Sequence, residues 1–207
     1  IYKNYSIQNA ENINDHWILN GELRCKYIIN AAGAWVDEVA SLFGVKKINV
    51  TPKKRTVFIC QPENFLANSN LPAVCDIEEK FYFKDQMQKI YASPADETPT
   101  TPHDCYADEF DIAVGIDRLQ HATNFNFRSV EHSWAGLRPF VEDKSPVLGF
   151  DNYVKNFFWV AALGGYGIML SPAMALLGKQ LVLNEIDEDF LEQYKINLKD
   201  IDASRIR

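Results

Sequence analysis

A glycine loop between an apolar strand and a long apolar helix constrains the fold of this 207-residue chain more than any other feature. The strand pattern NFFWVAA at 156–162 leads through LGGYG into a predicted helix from Ile168 to about Leu183. Glycines let the backbone approach a ligand closely, and a helix that starts beside them directs free N–H groups and a positive dipole end at that ligand. We therefore expect a strand–turn–helix unit with a ligand site at its turn.

The region near the start of the chain predicts a second unit of the same kind. Its apolar run LRCKYII at 23–29 has strand character, Gly33 gives a tight turn, and apolar residues at helical spacing predict a helix at 34–43. Weaker strand patterns occur near 4–9 and 15–19. Such units are halves of βαβ folds, whose open sheets bind ligands just outside the carboxyl ends of their strands.

The middle of the chain, from Pro52 to about Asn126, changes to the period-two pattern of strands. KRTVFIC predicts a strand, FYFK and KIYAS predict a hairpin, and a loop rich in Asn and Pro separates them. An amphipathic helix at 106–122 is expected to cover this sheet, and a long strand at 127–138 follows. Trp134, on that strand, is expected to lie in the core.

The predicted fold class is α/β (α+β). Residues 52–146 are expected to form an antiparallel or mixed-sheet lid domain with one helix. The flanking pieces, 1–51 and 147–207, are expected to form one α/β layer.

Charge and cysteine usage exclude several functions. The net charge of −7 leaves no basic surface for nucleic acid, and the Lys53-Lys54-Arg55 cluster is too short to supply one. The four cysteines and four histidines stand without ligand spacing, so neither a metal site nor a redox pair is expected, and reduced thiols indicate a cytoplasmic protein. No apolar run is long enough to cross a membrane, and the start, without Met or a signal-peptide core, is expected to be internal.

Arg138 is the strongest single candidate for ligand binding. It lies in the segment WAGLRPF, among the small or rigid neighbours Ala135, Gly136 and Pro139. The planar guanidinium matches both oxygens of a carboxylate at once. The alternative is a structural arginine that caps a strand or pairs with Asp143.

Several motifs in this order resemble the FAD-dependent D-amino acid oxidase superfamily, which includes glycine oxidase and sarcosine oxidase. They are YIINAAGAWVDEVA, PKKRTVF, FYFK, KIYASPADETP, SWAGLRPFVEDKSPVLG and GGYGIMLSPAMALLGKQL. The chain resembles the C-terminal portion of such a protein, because none of its ten glycines has the GxGxxG spacing of the dinucleotide cradle. The resemblance makes 1–51 with 147–207 a partial FAD-binding layer, the second half of a Rossmann-like layer, and makes 52–146 the substrate-binding domain.

The resemblance also implies roles for individual residues. Arg138 would pair with the substrate carboxylate, and Tyr82 would donate a hydrogen bond to it, although a core position is the alternative for this tyrosine. Where the family usually has a glycine shortly before the loop, this chain has Ala162. The residues implied to contact the cofactor are Ala31, Ala32, Gly33, Arg55, Gly165, Tyr166, Gly167, Ile168 and Met169, of which the glycines have a purely structural turn as their alternative.

The implied activity is oxidation of the C–N bond of a small amino acid (glycine, sarcosine or a D-amino acid) by hydride transfer to FAD. The implied partners are that substrate and the N-terminal half of the same protein, without which the 207 residues are not expected to be active or to retain FAD. Two alternatives stay open: a flavin dehydrogenase of a non-amino-acid substrate, and a non-enzymatic module without its cofactor half. A quinone acceptor would add membrane association to the cytoplasmic location.

Overall fold

The computed structural model describes residues 2–63, 72–86 and 89–206, and the chain divides into two compact units. The first unit comprises Ile1–Thr51 and Arg138–Arg207, and the second comprises Pro52–Leu137. In chain order the described strands are β1 (Ala10–Ile13), β2 (His16–Leu19), β3 (Leu23–Cys25), β4 (Ile28–Asn30), β5 (Thr51–Cys60), β6 (Val74–Cys75), β7 (Tyr82–Gln86), β8 (Lys89–Ser93), β9 (Val130–Phe140), β10 (Val147–Phe150) and β11 (Phe157–Ala161). The α-helices are α1 (Val36–Leu42), α2 (Glu109–Ala122), α3 (Gly167–Leu183) and α4 (Glu188–Tyr194).

The first unit is built on a mixed sheet in the order β10-β11-β4. Strand β11 runs antiparallel to β10 and parallel to β4. Alternate residues of β11 enter two different cores: Phe157 and Trp159 pack with Val36 of α1, whereas Phe158 packs with Met174 of α3. Both faces of β11 are therefore buried, as in the parallel sheets of α/β layers.

A separate antiparallel sheet, β1-β2-β3, precedes this layer. The single strand predicted at 23–29 is wrong, because β3 pairs with β2 whereas β4 pairs with β11 in the other sheet. The strand predicted at 4–9 is also wrong, since the first described strand begins at Ala10. Helix α4 was not predicted.

The second unit is a five-stranded sheet in the order β6-β7-β8-β5-β9, with α2 packed on one face. Its core contains Phe58 of β5, Ile90 of β8 and Leu119 of α2. The predicted hairpin is confirmed by the antiparallel pairing of β7 with β8. The Asn- and Pro-rich loop falls largely on 64–71, outside the described residues.

Strand β9 differs from its prediction at both ends and in its exposure. It covers Val130–Phe140 instead of 127–138, so the chain passes from the second unit to the first inside a strand, at Leu137–Arg138, and not at 146–147 as the sequence suggested. Trp134, predicted in the core, is 40% exposed. With these corrections the mixed α/β fold class is confirmed; the assignment of cofactor and substrate roles to the two units stays a prediction.

Candidate functional site

The two predicted strand–turn–helix units meet at one edge of the first unit's mixed sheet. Ile28 pairs with Phe157 and Asn30 pairs with Trp159 in parallel register. Because parallel strands end at the same edge, the turns after β4 and β11 lie side by side. This is the position at which open α/β sheets bind ligands.

The turn after β4 is fixed by a buried amide that sequence reasoning missed. Asn30 Nδ2 donates a hydrogen bond of 2.8 Å to the carbonyl of Val36, and its Oδ1 accepts a longer one of 3.4 Å from the N–H of Ala32. Gly33 follows at φ +59° and opens the short 3-10 turn Gly33–Trp35 that leads into α1. A polar residue that ends an apolar strand was the available signal, since a buried amide needs partners nearby.

The turn after β11 contains two left-handed residues, Ala162 at φ +54° and Gly164 at φ +52°. The N–H of Gly164 donates to the carbonyl of Pro139 at 3.0 Å, and a Cβ on Gly164 would lie 2.5 Å from Cε1 of Phe140. Left-handed backbone costs a residue with a Cβ about 1–2 kcal/mol. Ala162 therefore occupies a conformation that favours glycine, at the position where the resemblance implies a glycine.

Arg138 lies directly against this loop. A Cβ on Gly165 would be 2.6 Å from Nη1 and 2.9 Å from Cζ of Arg138, so only glycine leaves space for the guanidinium. Asp143, the alternative partner of Arg138, pairs with another arginine. The carboxylate of Asp143 accepts two hydrogen bonds from Arg205, at 2.7 Å from Nε and 3.2 Å from Nη2.

Helix α3 begins beside Arg138 with backbone donors directed out of its first turn. Tyr166 precedes the helix without a side-chain cap, and the first turn contains no acidic residue. The N–H of Leu170 makes the first helical bond, to Tyr166 O at 2.8 Å, so the N–H groups of Gly167, Ile168 and Met169 precede the helical ladder. Ile168 and Met169 are 92% and 70% exposed, which leaves an apolar surface around those donors.

An apolar cavity of about 470 Å³ lies on the α3 face of the same unit. Its walls include Ile29, Val160, Leu163 and Val182. Since few hydrogen-bonding groups line it, the cavity suits a carboxylate less well than the guanidinium of Arg138 does.

The remaining two predicted site residues lie in the second unit and contact each other. Cζ of Arg55 is 5.9 Å from the centroid of the Tyr82 ring. Arg55 also donates hydrogen bonds within this unit, to the carbonyl of Asp96 and to the carboxylate of Glu97. Of the predicted site residues, Arg138 and the two turns thus lie together in the first unit, whereas Arg55 and Tyr82 lie together in the second.

Three other features could give the described part of the chain a function: a metal site, a reactive thiol or a membrane-spanning helix. Its His, Cys, Asp and Glu side chains include no group of three or more that could hold a metal ion. Burial raises the pKa of the Cys60 thiol to about 12, which keeps it protonated at neutral pH. Over 2–63, 72–86 and 89–206, no helix has the length and apolar character needed to span a membrane.

Comparison with known proteins gives one family. The model of the FAD dependent oxidoreductase family matches residues 1–181. The chain is 27% identical to FAD-dependent oxidoreductase domain-containing protein 1 of Xenopus laevis over 178 residues, which cover 78% of this chain and 36% of that protein. The chain thus spans about a third of the length of this curated relative.

Solved structures share the fold at low sequence identity. Glycine oxidase from Geobacillus kaustophilus superposes with a TM-score of 0.71 at 20% identity, covering 88% of this chain and 49% of that one. L-proline dehydrogenase from P. horikoshii superposes with a TM-score of 0.74 at 18% identity, covering 97% of this chain and 53% of that one. At these identities the likeness shows the fold alone.

Proposed function

The chain belongs to the FAD-dependent oxidoreductase family, and from this premise we propose that it forms part of an enzyme that oxidises the C–N bond of a small amino acid. Glycine, sarcosine or a D-amino acid would be the substrate. The observation that supports this most is the contact of the Arg138 guanidinium with Gly165, at the sheet edge where β4 and β11 end.

The residues at this edge fit the family's cofactor. The N–H groups at the start of α3 can donate to an electron-rich ring edge or an anion, and the helix dipole favours negative charge there by about 0.3–1 kcal/mol. The exposed side chains of Tyr166, Ile168 and Met169 give a planar ring system an apolar surface to cover. FAD, when bound, would accept a hydride from the substrate's Cα–H bond as the C–N single bond becomes an imine. We assign its contacts in this unit to 31–33 and 165–169.

In this proposal, Arg138 orients the substrate. Its planar fork would hold the substrate carboxylate in a single direction, and holding a reacting bond in place contributes most of the rate when no acid–base group is needed. For Tyr82 and Arg55, the contacts with the substrate carboxylate and with the cofactor stay predictions, because both residues are described only within the second unit.

The complete enzyme needs more than this chain. The relatives described above are about twice as long as this chain, and we propose that a dinucleotide-binding half of the same protein supplies the pyrophosphate cradle. The 207 residues alone should then bind FAD weakly and show no oxidase activity. The four cysteines are free thiols, which supports a reducing compartment such as the cytoplasm.

Substitution of Arg138 tests the proposal. In the FAD-loaded enzyme that contains this chain, Arg138→Ala should raise KM for the amino acid roughly 100-fold, because a carboxylate loses a bidentate partner. The KM of Arg138→Lys should lie between those of the wild-type enzyme and Arg138→Ala, since an ammonium binds a carboxylate as a point charge.

Arg24→Ala provides the matched control, because Arg24 is an exposed arginine of the same unit. An unchanged KM in Arg138→Ala would exclude Arg138 as the carboxylate ligand. Oxidation of non-amino-acid substrates alone, in a screen of amino acids and hydroxy compounds, would favour a flavin dehydrogenase of another class.

A further inference from the structure

Arg55 contacts the Tyr82 ring although the strands of the two residues are not neighbours in the second unit's sheet. Tyr82 on β7 pairs with Ser93 on β8, and β8 lies between β7 and β5. Arg55, on β5, nevertheless brings its guanidinium carbon to 5.9 Å from the Tyr82 ring centroid. At such a distance the ring quadrupole attracts a cation above its face.

The guanidinium of Arg55 has little freedom to move. Its Nε donates to the carbonyl of Asp96 at 2.8 Å, and its Nη2 donates to Oε1 of Glu97 at 3.1 Å. The side chain is only 10% exposed. Two directed bonds to a planar group fix both its position and its tilt.

The acceptors of Arg55 are themselves fixed to β5. The carboxylate of Asp96 accepts from the N–H of Thr56 at 2.7 Å and from its hydroxyl at 3.0 Å. Backbone bonds tie the following residues to the same strand, from Lys54 N to Thr98 O and from Thr100 N to Pro52 O, each at 2.9 Å. The guanidinium is therefore attached to a braced segment and not to a free loop.

We infer that Arg55 is a positioning residue for Tyr82, which keeps the ring in one place and so fixes the direction of its hydroxyl. The sequence alone suggested a cofactor contact for Arg55, whereas its described bonds and its ring contact all lie inside the second unit. The consequence for substrate binding rests on the proposed function, in which the Tyr82 hydroxyl donates to the substrate carboxylate.

The position of the ring can be measured on the 207-residue chain itself. With 3-fluorotyrosine at position 82, the 19F chemical shift should move toward that of the free amino acid in Arg55→Met and move less in Arg55→Lys, which keeps the charge. Lys53→Met is the matched control, because Lys53 binds the same Glu97 at 2.9 Å. An unchanged shift in Arg55→Met would overturn the inference, as would an equal change in Lys53→Met.

The catalytic consequence is measured in the FAD-loaded enzyme. Arg55→Met should raise KM for the amino acid about threefold to tenfold with kcat nearly unchanged, in line with the strength of a half-buried cation–ring contact. In a Tyr82→Phe background, which keeps the ring but lacks the hydroxyl, Arg55→Met should add no further change. An additive effect would show that Arg55 acts independently of Tyr82. A wild-type enzyme that oxidises no amino acid would refute the proposed function, while the 19F measurement would still decide whether Arg55 holds the ring.

Discussion

Two glycines show how differently the two units use the absence of a side chain. In the second unit, a Cβ on Gly115 of α2 would lie 2.5 Å from Cε1 of Phe58 and 3.3 Å from Cδ of Pro94. In the first unit, a Cβ on Gly165 would lie 2.6 Å from Nη1 of Arg138. Gly115 thus faces rigid rings in a buried contact, whereas Gly165 is exposed and faces the end of a long side chain.

The comparison separates a glycine that the fold requires from one that the site requires. Phe58 is fully buried and cannot move without repacking of the sheet, so a methyl group at Gly115 would reduce stability. The guanidinium of Arg138 can rotate away from a methyl group at Gly165, so the substitution would instead change where Arg138 points.

The largest expected effect is that of Gly115→Ala, which should lower the free energy of unfolding by roughly 3 kcal/mol through overpacking between α2 and β5. Urea denaturation followed by circular dichroism measures this value. Gly136→Ala is the control, because no described residue lies within 4 Å of its added Cβ, and its change should stay within about 0.5 kcal/mol. Equal effects in the two variants would mean that α2 does not press on Phe58 as described.

A smaller effect of a different kind is expected for Gly165→Ala. Its free energy of unfolding should change by less than about 1 kcal/mol, whereas KM for the amino acid in the FAD-loaded enzyme should rise about tenfold as Arg138 is displaced. Gly178→Ala, in the helix that follows the loop, is the control, because its added Cβ would meet Leu148 at an ordinary 3.7 Å. A large loss of stability with an unchanged KM would make Gly165 a second structural glycine.

The sequence predicted the units that local patterns specify. The strand predicted at 156–162 and the helix predicted at 168–183 match β11 and α3 to within a residue or two, because glycines and a long apolar run mark their ends. The break between β3 and β4 could not be predicted in this way. Its cause is the choice of pairing partner, since β4 pairs with the distant β11, and the two short strands share one apolar pattern.

In the candidate site, too, the local motifs were predicted from the sequence whereas their long-range contacts were not. Arg138 and the glycine loop were each predicted, but their contact depends on the hydrogen bond from Gly164 to Pro139 O, which joins segments far apart in the sequence. Asn30 was missed because its place at the end of an apolar strand indicates a buried amide but does not show that the partner is the carbonyl of Val36. Local contacts within the carboxylate runs are N-caps of α2 and α4: Asp108 accepts from Phe110 N, and Asp187 accepts from Phe190 N.

The smallest expected change in the free energy of unfolding comes from the ion pair of Arg205 with Asp143 in the first unit. The hydrogen bond from Arg205 lowers the pKa of Asp143 below its usual value. The unfolded chain therefore binds more protons in acid, so the pair's contribution is present above about pH 4 and is lost as pH falls through the folded-state pKa.

Arg205→Met should accordingly cost less than about 1 kcal/mol at pH 7, because the Asp143 side chain is 42% exposed and solvent screens the pair. Urea denaturation at pH 7 and at pH 3 should show the difference between wild type and variant shrinking in acid, with Asp143→Asn as the matched variant. A difference that stays constant with pH would mean that Arg205 stabilises this region through its hydrogen bonds to the carbonyls of Asp202 and Ser145. The pair with Asp143 would then add nothing measurable to the stability of the first unit.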